Sequence, residues 1–510
     1  MSQPEPGGSD IAALAKGGRT NFLGFLLRLA ARLPFLFVAG RYYGAEALGR
    51  FAYAILIVEF AAQLATLGLK RGLAEQLSAT DKPHVCVVWD AMLVAFLASA
   101  VGTIALFAFP QAMFPNSPIN GVEWLLPLIV FAVAGSDVAL AALAYRRNIG
   151  ATVTARAIVE PWTISIAAAL LFFTLSSRDG LIIAYVLSMV AALVASLVPL
   201  IRSYGLPRGW RPEPGALWWM ARRNTPLAAA DAIEWGSRRI DIAILGLFFS
   251  PAIVGVYYVA QQVASLPQKL KTSFDPILGP VITQRLAEGD KAAVARQVRQ
   301  VGFWIIAAQA SIALALGICA EAVLGLVGAD FLKGVGILAF LLAAEVVAAT
   351  AAVSEAALVY IARHRNLLIS TCTILVQAAL SFAFVLGSHE LLLSRGAEVP
   401  LRDNILAATG PAIALMLALG VASIVKARLL GRLLGAPVSG WRWTLVWAAA
   451  AAAVVGYLAT LVPEWGELIV GIPAVLVTFF VIIWYRGFTD EDRMLFRLKK
   501  GEEPSLPPSI

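Results

Sequence analysis

Two arginines, Arg28 and Arg32, stand four residues apart in an apolar stretch running from about residue 20 to 43, which contains no acid to pair with them. Residues four apart share one face of a helix. At ~1.5 Å of rise per residue they would lie roughly 12 and 18 Å in from the start of the stretch. If the stretch crosses a bilayer, a charge at that depth costs about 2.5–3.5 kcal/mol to insert and is kept only where something uses it. One outlet is an acid on a neighbouring stretch, with Glu59, Asp90 and Asp137 in reach; the other is a water-filled cavity in which the guanidiniums meet an anion.

A second concentration of charge falls at 225–249, which carries Asp231, Glu234, Arg238, Arg239 and Asp241. On an unbroken helix, positions 231, 234, 238 and 241 form one stripe, and Glu234 precedes Arg238 in the favourable i,i+4 order. That stripe reads either as a self-neutralised face or as half of an ionised cavity opposite Arg28 and Arg32. Further along, Gln261 and Gln262 have amides suited to sugar hydroxyls or to neighbouring helices. Lys269 and Lys271, beside Pro267, can bind an anion or snorkel to the interface. Glu59, Asp90, Asp137, Asp231, Glu234 and Glu345 are carboxylates at depths where burial would permit proton exchange, so they are the candidates for ion coupling. Arg156 and Glu160 form another i,i+4 pair and read as structural. Three cysteines and three histidines lie scattered without metal-ligand spacing, which points to no metal and no cofactor.

The elements that must position these charges follow from composition. Of 510 residues, 60% are hydrophobic and only 14% charged, with mean hydropathy +0.79. Ordinary soluble domains carry roughly 25% charged residues. The chain is therefore an all-α polytopic membrane protein, and soluble enzymes, disordered chains and disulfide scaffolds are excluded. A ruler of ~20 apolar residues per span gives about fourteen transmembrane helices, among them 20–43, 48–69, 225–249, 251–275, 332–360 and 443–462. With Met1 inside, every cytoplasmic loop is basic, from Lys16 and Arg19 through Arg222 and Arg223 to the tail with Arg497, Lys499 and Lys500. The net charge of +8 is thus explained by topology and not by nucleic acid. The polar segment 1–19 leads straight into the first span and reads as an uncleaved cytoplasmic start.

The run Tyr43-Gly44-Ala45-Glu46-Ala47-Leu48-Gly49-Arg50-Phe51 returns 206 residues later as Phe249-Ser250-Pro251-Ala252-Ile253-Val254-Gly255-Val256-Tyr257. Six spans per repeat predict two pseudo-twofold related six-helix lobes around a central cavity, at 20–201 and 225–425. The Pro/Gly/Trp-rich stretch 202–224 joins them, spans thirteen and fourteen (443–485) follow, and 486–510 forms a cytoplasmic tail. Asp490-Glu491-Asp492 in that tail reads as a solvated segment. Short loops leave no room for a separate catalytic domain, which argues against an enzyme.

The segments Tyr43-Gly44-Ala45-Glu46-Ala47-Leu48-Gly49-Arg50-Phe51-Ala52-Tyr53-Ala54 and Leu67-Gly68-Leu69-Lys70-Arg71-Gly72-Leu73 resemble bacterial polysaccharide-biosynthesis flippases. These belong to the multidrug/oligosaccharidyl-lipid/polysaccharide exporter superfamily. The resemblance implies alternating access in the inner membrane and a cargo of oligosaccharide on undecaprenyl pyrophosphate, for O-antigen or exopolysaccharide export. It also implies cavity arginines at Arg28, Arg32, Arg50, Arg238 and Arg239, with Arg50 set apart at the outer end of its span. Expected partners are this lipid-linked oligosaccharide, membrane lipids, and polysaccharide polymerase or glycosyltransferases; an H+ or Na+ gradient would supply coupling. The rival readings are a multidrug/cation antiporter of the same superfamily and, from another class, a polyprenyl-sugar glycosyltransferase or O-antigen polymerase.

Overall fold

The structure is a computed structural model that describes residues 33–493 apart from 118, 120, 147, 175–178, 238 and 395–399. The described residues form helices and no strands. In chain order the helices used below are α1 (Gly44–Ala65), α2 (Leu69–Ser78), α3 (His84–Ala108), α4 (Ile129–Tyr145), α5 (Glu160–Thr174), α6 (Gly180–Tyr204), α7 (Pro214–Ser237) and α8 (Ile240–Phe248). They continue with α9 (Pro251–Ala287), α10 (Lys291–Ile318), α11 (Val335–Ala349), α12 (Ala352–Ile361), α13 (Arg363–Ser394), α14 (Gly410–Leu434), α15 (Thr444–Ala459) and α16 (Ile472–Ile482).

Ten helical stretches among the described residues are long and apolar enough to cross a membrane, and α12 and α15 are shorter apolar helices. The chain is a multi-pass membrane protein. Ten is fewer than the fourteen expected, and local breaks account for part of the difference. The expected spans 20–43 and 48–69 fall, where described, in one run from Leu33 to Ser78. Within that run Gly44, at φ 81°, interrupts the helical path in a region open to glycine. The expected span 225–249 divides into α7 and α8, and 332–360 divides into α11 and α12. Large apolar side chains face outward, Phe173 at 79% and Trp443 at 73% exposure, as a lipid-facing surface requires. Within the helices, hydroxyls of Ser165, Ser196 and Thr373 donate to carbonyls four residues back, so these three side chains are satisfied without water.

The cavity described below depends on how α1 crosses α9. A Cβ built on Gly49 would lie 1.7 Å from the Pro251 carbonyl oxygen, and one on Gly255 would lie 2.0 Å from the Ala45 carbonyl oxygen. The contacts are reciprocal, because Pro251 and Gly255 are the repeat counterparts of Ala45 and Gly49. The two copies of the motif pack backbone to backbone, which only glycine at both positions permits. Next to this crossing the Tyr53 ring lies on Gly246, and Asn116 Nδ2 donates to the Gly246 carbonyl at 2.8 Å.

The stretch 202–224 is helical at both ends, leaving Gly205–Glu213 as the connection between α6 and α7. It is pinned to α3: Trp210 Nε1 donates to Asp90 Oδ1 at 2.8 Å, and Trp89 Nε1 donates to the Gly205 carbonyl at 3.3 Å.

The tail departs from expectation. Asp492 is completely buried instead of solvated. It accepts from Trp304 Nε1 (2.8 Å), Gln300 Nε2 (3.1 Å), Arg442 (2.9 Å) and both the amide and hydroxyl of Thr489 (2.9 Å each). Arg442 in turn stacks on Phe303 at 3.9 Å. A sparse acidic run carries no sign of this, since the donors other than Thr489 come from α10 and from the segment before α15. Burial pushes the Asp492 carboxyl up, but the Thr489 and Arg442 donors outweigh it and hold the carboxyl below its ordinary value. A carboxyl depressed in the folded state contributes stability above its unfolded value of about 3.9 and loses that contribution as pH falls through the folded value. The gap in thermal midpoint between wild type and Asp492→Asn should therefore be constant from about pH 5 to 8 and close below about pH 4. A gap unchanged down to about pH 2 would contradict this role.

Candidate functional site

Along α1, Ala52, Ile55, Leu56 and Glu59 recur at helical spacing and face one cavity. Across it stand Tyr185, Ser188 and Met189 of α6, Pro161 and Ile164 at the start of α5, and Tyr258, Gln261, Gln262 and Leu266 of α9. Leu33, Phe35 and Leu36 close a further side, and Arg239 enters from the break between α7 and α8. The space accessible to water is about 150 Å³. Its wall is amphipathic, with apolar side chains interrupted by two carboxylates, a guanidinium, two amides and two phenols.

The charges are organised in pairs. Arg239 forms an ion pair with Glu59 Oε2, and its guanidinium lies over the Trp235 ring at 4.5 Å. Tyr185 donates its hydroxyl to Glu59 Oε1 at 3.2 Å, so both carboxylate oxygens are engaged. Glu160 accepts from Arg156 at 2.8 Å. Arg156 also pairs with Asp137, which Lys70 approaches at 3.8 Å. Arg156 sits in the widened π-helical turn Thr154–Val159, a distortion frequent at functional positions, where it reaches both acids at once. A string of alternating charge thus leads from Lys70 to the cavity wall.

The stripe expected on one helix does not form. The helix ends at Ser237 and resumes at Ile240, with Arg239 between them at φ −137°. The break separates its acids: Asp231 meets Arg71 Nε at 2.7 Å, whereas Asp241 is held by Tyr257 (2.8 Å) and Gln261 (2.9 Å).

Of the residues singled out from sequence, Glu59, Arg239, Gln261 and Gln262 are brought together in the cavity. Asp90, Asp137, Asp231 and Glu345 are not part of its lining. Asp90 holds the connection to α7, Asp137 binds Arg156, Asp231 binds Arg71, and Glu345 sits partly buried on α11. Arg28, Arg32 and Arg238 lie outside the described residues, and Glu234, Lys269 and Lys271 lie in helices with side chains outside the description. Tyr185, Ser188 and Tyr258 were not anticipated, because a single phenol or hydroxyl in an apolar helix carries no spacing signal. Glu160 was visible only as Arg156's partner. No group of three metal-ligating side chains occurs among the described residues.

Arg50 belongs to a different place. It pairs with Glu123, which has no solvent exposure, and its guanidinium lies 5.3 Å over the Phe114 ring, beside the Gly49–Gly255 crossing. Burial separates the two arginine pairs by magnitude: side-chain exposure is 11% and 0% for Arg50 and Glu123 but 40% and 26% for Arg239 and Glu59. Arg50→Ala should cost about 3–5 kcal/mol of stability by withdrawing the cation from a buried acid. Arg239→Ala should cost about 1 kcal/mol or less, as a half-exposed pair does. Chemical unfolding of the two variants in the same detergent measures the difference, and equal losses would show that the cavity pair is as structural as the other.

The sequence model of the polysaccharide biosynthesis protein family matches residues 39–335, more than half of the chain. A search of curated proteins finds no match. Among solved structures, the chain is similar to the lipid II flippase MurJ in an inward closed conformation (TM-score 0.67, 12% identity, 91% of this chain and 99% of that one). It is also similar to an inward-facing multidrug resistance MATE family transporter of the MOP superfamily (0.63, 16%, 80% and 95%). A third is a MOP superfamily transporter from Pyrococcus furiosus whose binding pocket has reversed polarity (0.54, 15%, 85% and 99%). At these identities the likeness is one of fold alone. With its matched segment spanning the helices that build the cavity, the chain belongs to the polysaccharide biosynthesis protein family.

Proposed function

We propose that this protein is an alternating-access flippase that moves a polyprenyl-pyrophosphate-linked oligosaccharide from the cytoplasmic to the periplasmic leaflet of the bacterial inner membrane for polysaccharide export. The observation that carries the reading is the water-accessible, charge-lined cavity between membrane helices of a chain in this family. Apolar solutes need no such wall, whereas a pyrophosphate and its sugars need water and fixed polar groups to cross about 30 Å of hydrocarbon.

The substrate contacts we assign are Arg28, Arg32, Arg238, Arg239, Lys269 and Lys271 for pyrophosphate, and Gln261 and Gln262 for sugar hydroxyls. In support, Leu36 lines the cavity, and Arg32 and Arg28 precede it at intervals of four, the spacing of one helical face. Arginine binds phosphate through two parallel hydrogen bonds and keeps its charge at any working pH. The polyprenyl tail stays in lipid and leaves between the lobes.

The full architecture in this reading has fourteen membrane helices. Lobes at 20–201 and 225–425 flank the linker 202–224, 443–485 adds two helices, and 1–19 and 486–510 lie in the cytoplasm. The reciprocal Gly49–Gly255 contact supports a pseudo-twofold axis, and the basic loops support the orientation. With that orientation the crossing seals the cavity on the periplasmic side, and rocking of one lobe against the other opens it. Glycosyltransferases on the inside would supply the cargo, and a polymerase on the outside would consume it.

A second reading, a cation antiporter, is favoured by Glu59 and Glu160 beside the Tyr185 ring, an arrangement that also suits a lipophilic cation. Binding to the purified protein in nanodiscs separates the two. Farnesyl pyrophosphate should bind, and Arg28→Ala with Arg32→Ala should weaken it by more than about tenfold, ~1.4 kcal/mol. The same double variant should abolish polymer export while still accumulating in the membrane, and the Arg→Lys pair should restore export only in part. Binding of tetraphenylphosphonium without farnesyl pyrophosphate would select the antiporter. Normal surface polysaccharide from the double alanine variant would overturn the cavity assignment.

A further inference from the structure

Asp241 opens α8 and has no solvent exposure. Among the described residues, the groups bound to it are neutral. The Tyr257 hydroxyl and the Gln261 amide donate to Oδ2 at 2.8 and 2.9 Å, and the Ile242 backbone N–H donates to Oδ1 at 2.9 Å. Of the cations near it in sequence, Arg239 is committed to Glu59 and Arg238 lies outside the described residues. Among the described residues no basic side chain forms an ion pair with Asp241. Among the described side chains, the ionisable groups on two elements packed around α8 are Tyr257, Tyr258 and Arg285 on α9 and Glu46, Arg50, Tyr53 and Glu59 on α1; Lys269, Lys271 and Asp275 of α9 lie outside the description. From α13 the contact with α8 is Phe382 against Phe248. Neither the ends of α13 (Arg363, His364, Arg365, His389, Glu390) nor the basic end of α14 (Lys426, Arg428, Arg432) bonds to Asp241.

A carboxylate taken out of water without a cation is costly unless hydrogen bonds hold it, and the remaining way to relieve the cost is to take up a proton. Here both states are accommodated. The anion accepts three hydrogen bonds. A proton on Oδ2 can be donated to the Gln261 carbonyl if that amide turns over, since a side-chain amide offers a donor on one side and an acceptor on the other. Gln261 is also part of the cavity wall.

We propose that Asp241 is a proton-binding site that sets the polarity of the cavity through Gln261. With Asp241 ionised, the amide N–H2 of Gln261 is spent on the carboxylate and its oxygen faces the cavity. With Asp241 protonated, the amide turns, its oxygen accepts the Asp241 proton, and its N–H2 faces the cavity as a donor to a sugar or phosphate oxygen. Proton and anion then load together. The inference rests on the transport reading for its ligand, but the proton site stands on Asp241, Tyr257 and Gln261 alone.

Infrared titration of the full chain in nanodiscs reads the site directly through the C=O stretch of a protonated, buried carboxyl. Wild type should show one such band that disappears as pH rises, and Asp241→Asn should lack it. Tyr257→Phe removes a donor to the ionised form, and Gln261→Leu removes a bond to the carboxylate that is stronger than the neutral bond it makes to the protonated form, so both should retain the band with its midpoint moved to higher pH. These two variants carry the test if Asp241→Asn does not fold. An unchanged band in Asp241→Asn, or midpoints unmoved in the two donor variants, overturns the proposal. Inorganic pyrophosphate affinity then reads the coupling. The ratio of wild-type to Asp241→Asn affinity, in which the titration of pyrophosphate itself cancels, should fall roughly tenfold as pH rises through the band midpoint, and should be flat in a Gln261→Leu background. A flat ratio in wild type overturns the coupling. If pyrophosphate binds at no pH, the flippase reading fails, and the band and its midpoint shifts still decide the proton site.

Discussion

Backbone meets backbone where α1 crosses α9, because Gly49 and Gly255 present no side chain to the carbonyls of Pro251 and Ala45. That approach brings Glu59 of α1 and Gln261 of α9 to opposite walls of one cavity, each two or three helical turns beyond the crossing. In lipid there is no hydrophobic force between helices, and close packing of small residues is what holds two of them together. The crossing also explains why Asn116 and the Arg50–Glu123 pair gather at that end. They supply directional hydrogen bonds and charge where dispersion between two glycines is slight.

The second constraint is that charge inside a low-dielectric medium must be answered locally. The structure answers it in two ways. Arg50 with Glu123, and Asp492 with Arg442, Thr489, Trp304 and Gln300, are buried and saturated, and they fasten elements to one another. Arg239 with Glu59 is half exposed to the cavity, so it can exchange partners with a ligand. Degree of burial, more than residue type, separates the pairs that fasten elements from the pair left open to the cavity. Asp241 belongs to neither group, as its partners among the described residues are neutral.

Legibility of the site from sequence followed the same division. Glu59, Arg239, Gln261 and Gln262 were visible because a polar residue deep in an apolar stretch is conspicuous by itself. Tyr185 and Ser188 were invisible because phenols and hydroxyls are ordinary in membrane helices. The stripe from Asp231 to Asp241 was misread because periodicity assumes an unbroken helix, and the break between Ser237 and Ile240 sends its two acids to different partners. Asp492 looked solvated because a tail with three acids resembles any polar end, and its donors other than Thr489 arrive from positions 50 to almost 200 residues away.

Hydropathy and loop charge are properties of each residue against its solvent and add along the chain. By itself, therefore, the sequence determined the membrane class, the all-helical architecture and the repeated motif. Which acid meets which base, which amide faces water, and where a helix breaks depend on distances between segments far apart in the chain. They depend also on whether a charge's desolvation is met by a partner at that point. Only the tertiary structure decides that balance. It placed Arg239 against Glu59, gave Asp137 to Arg156, and set Tyr257 and Gln261 as donors on Asp241.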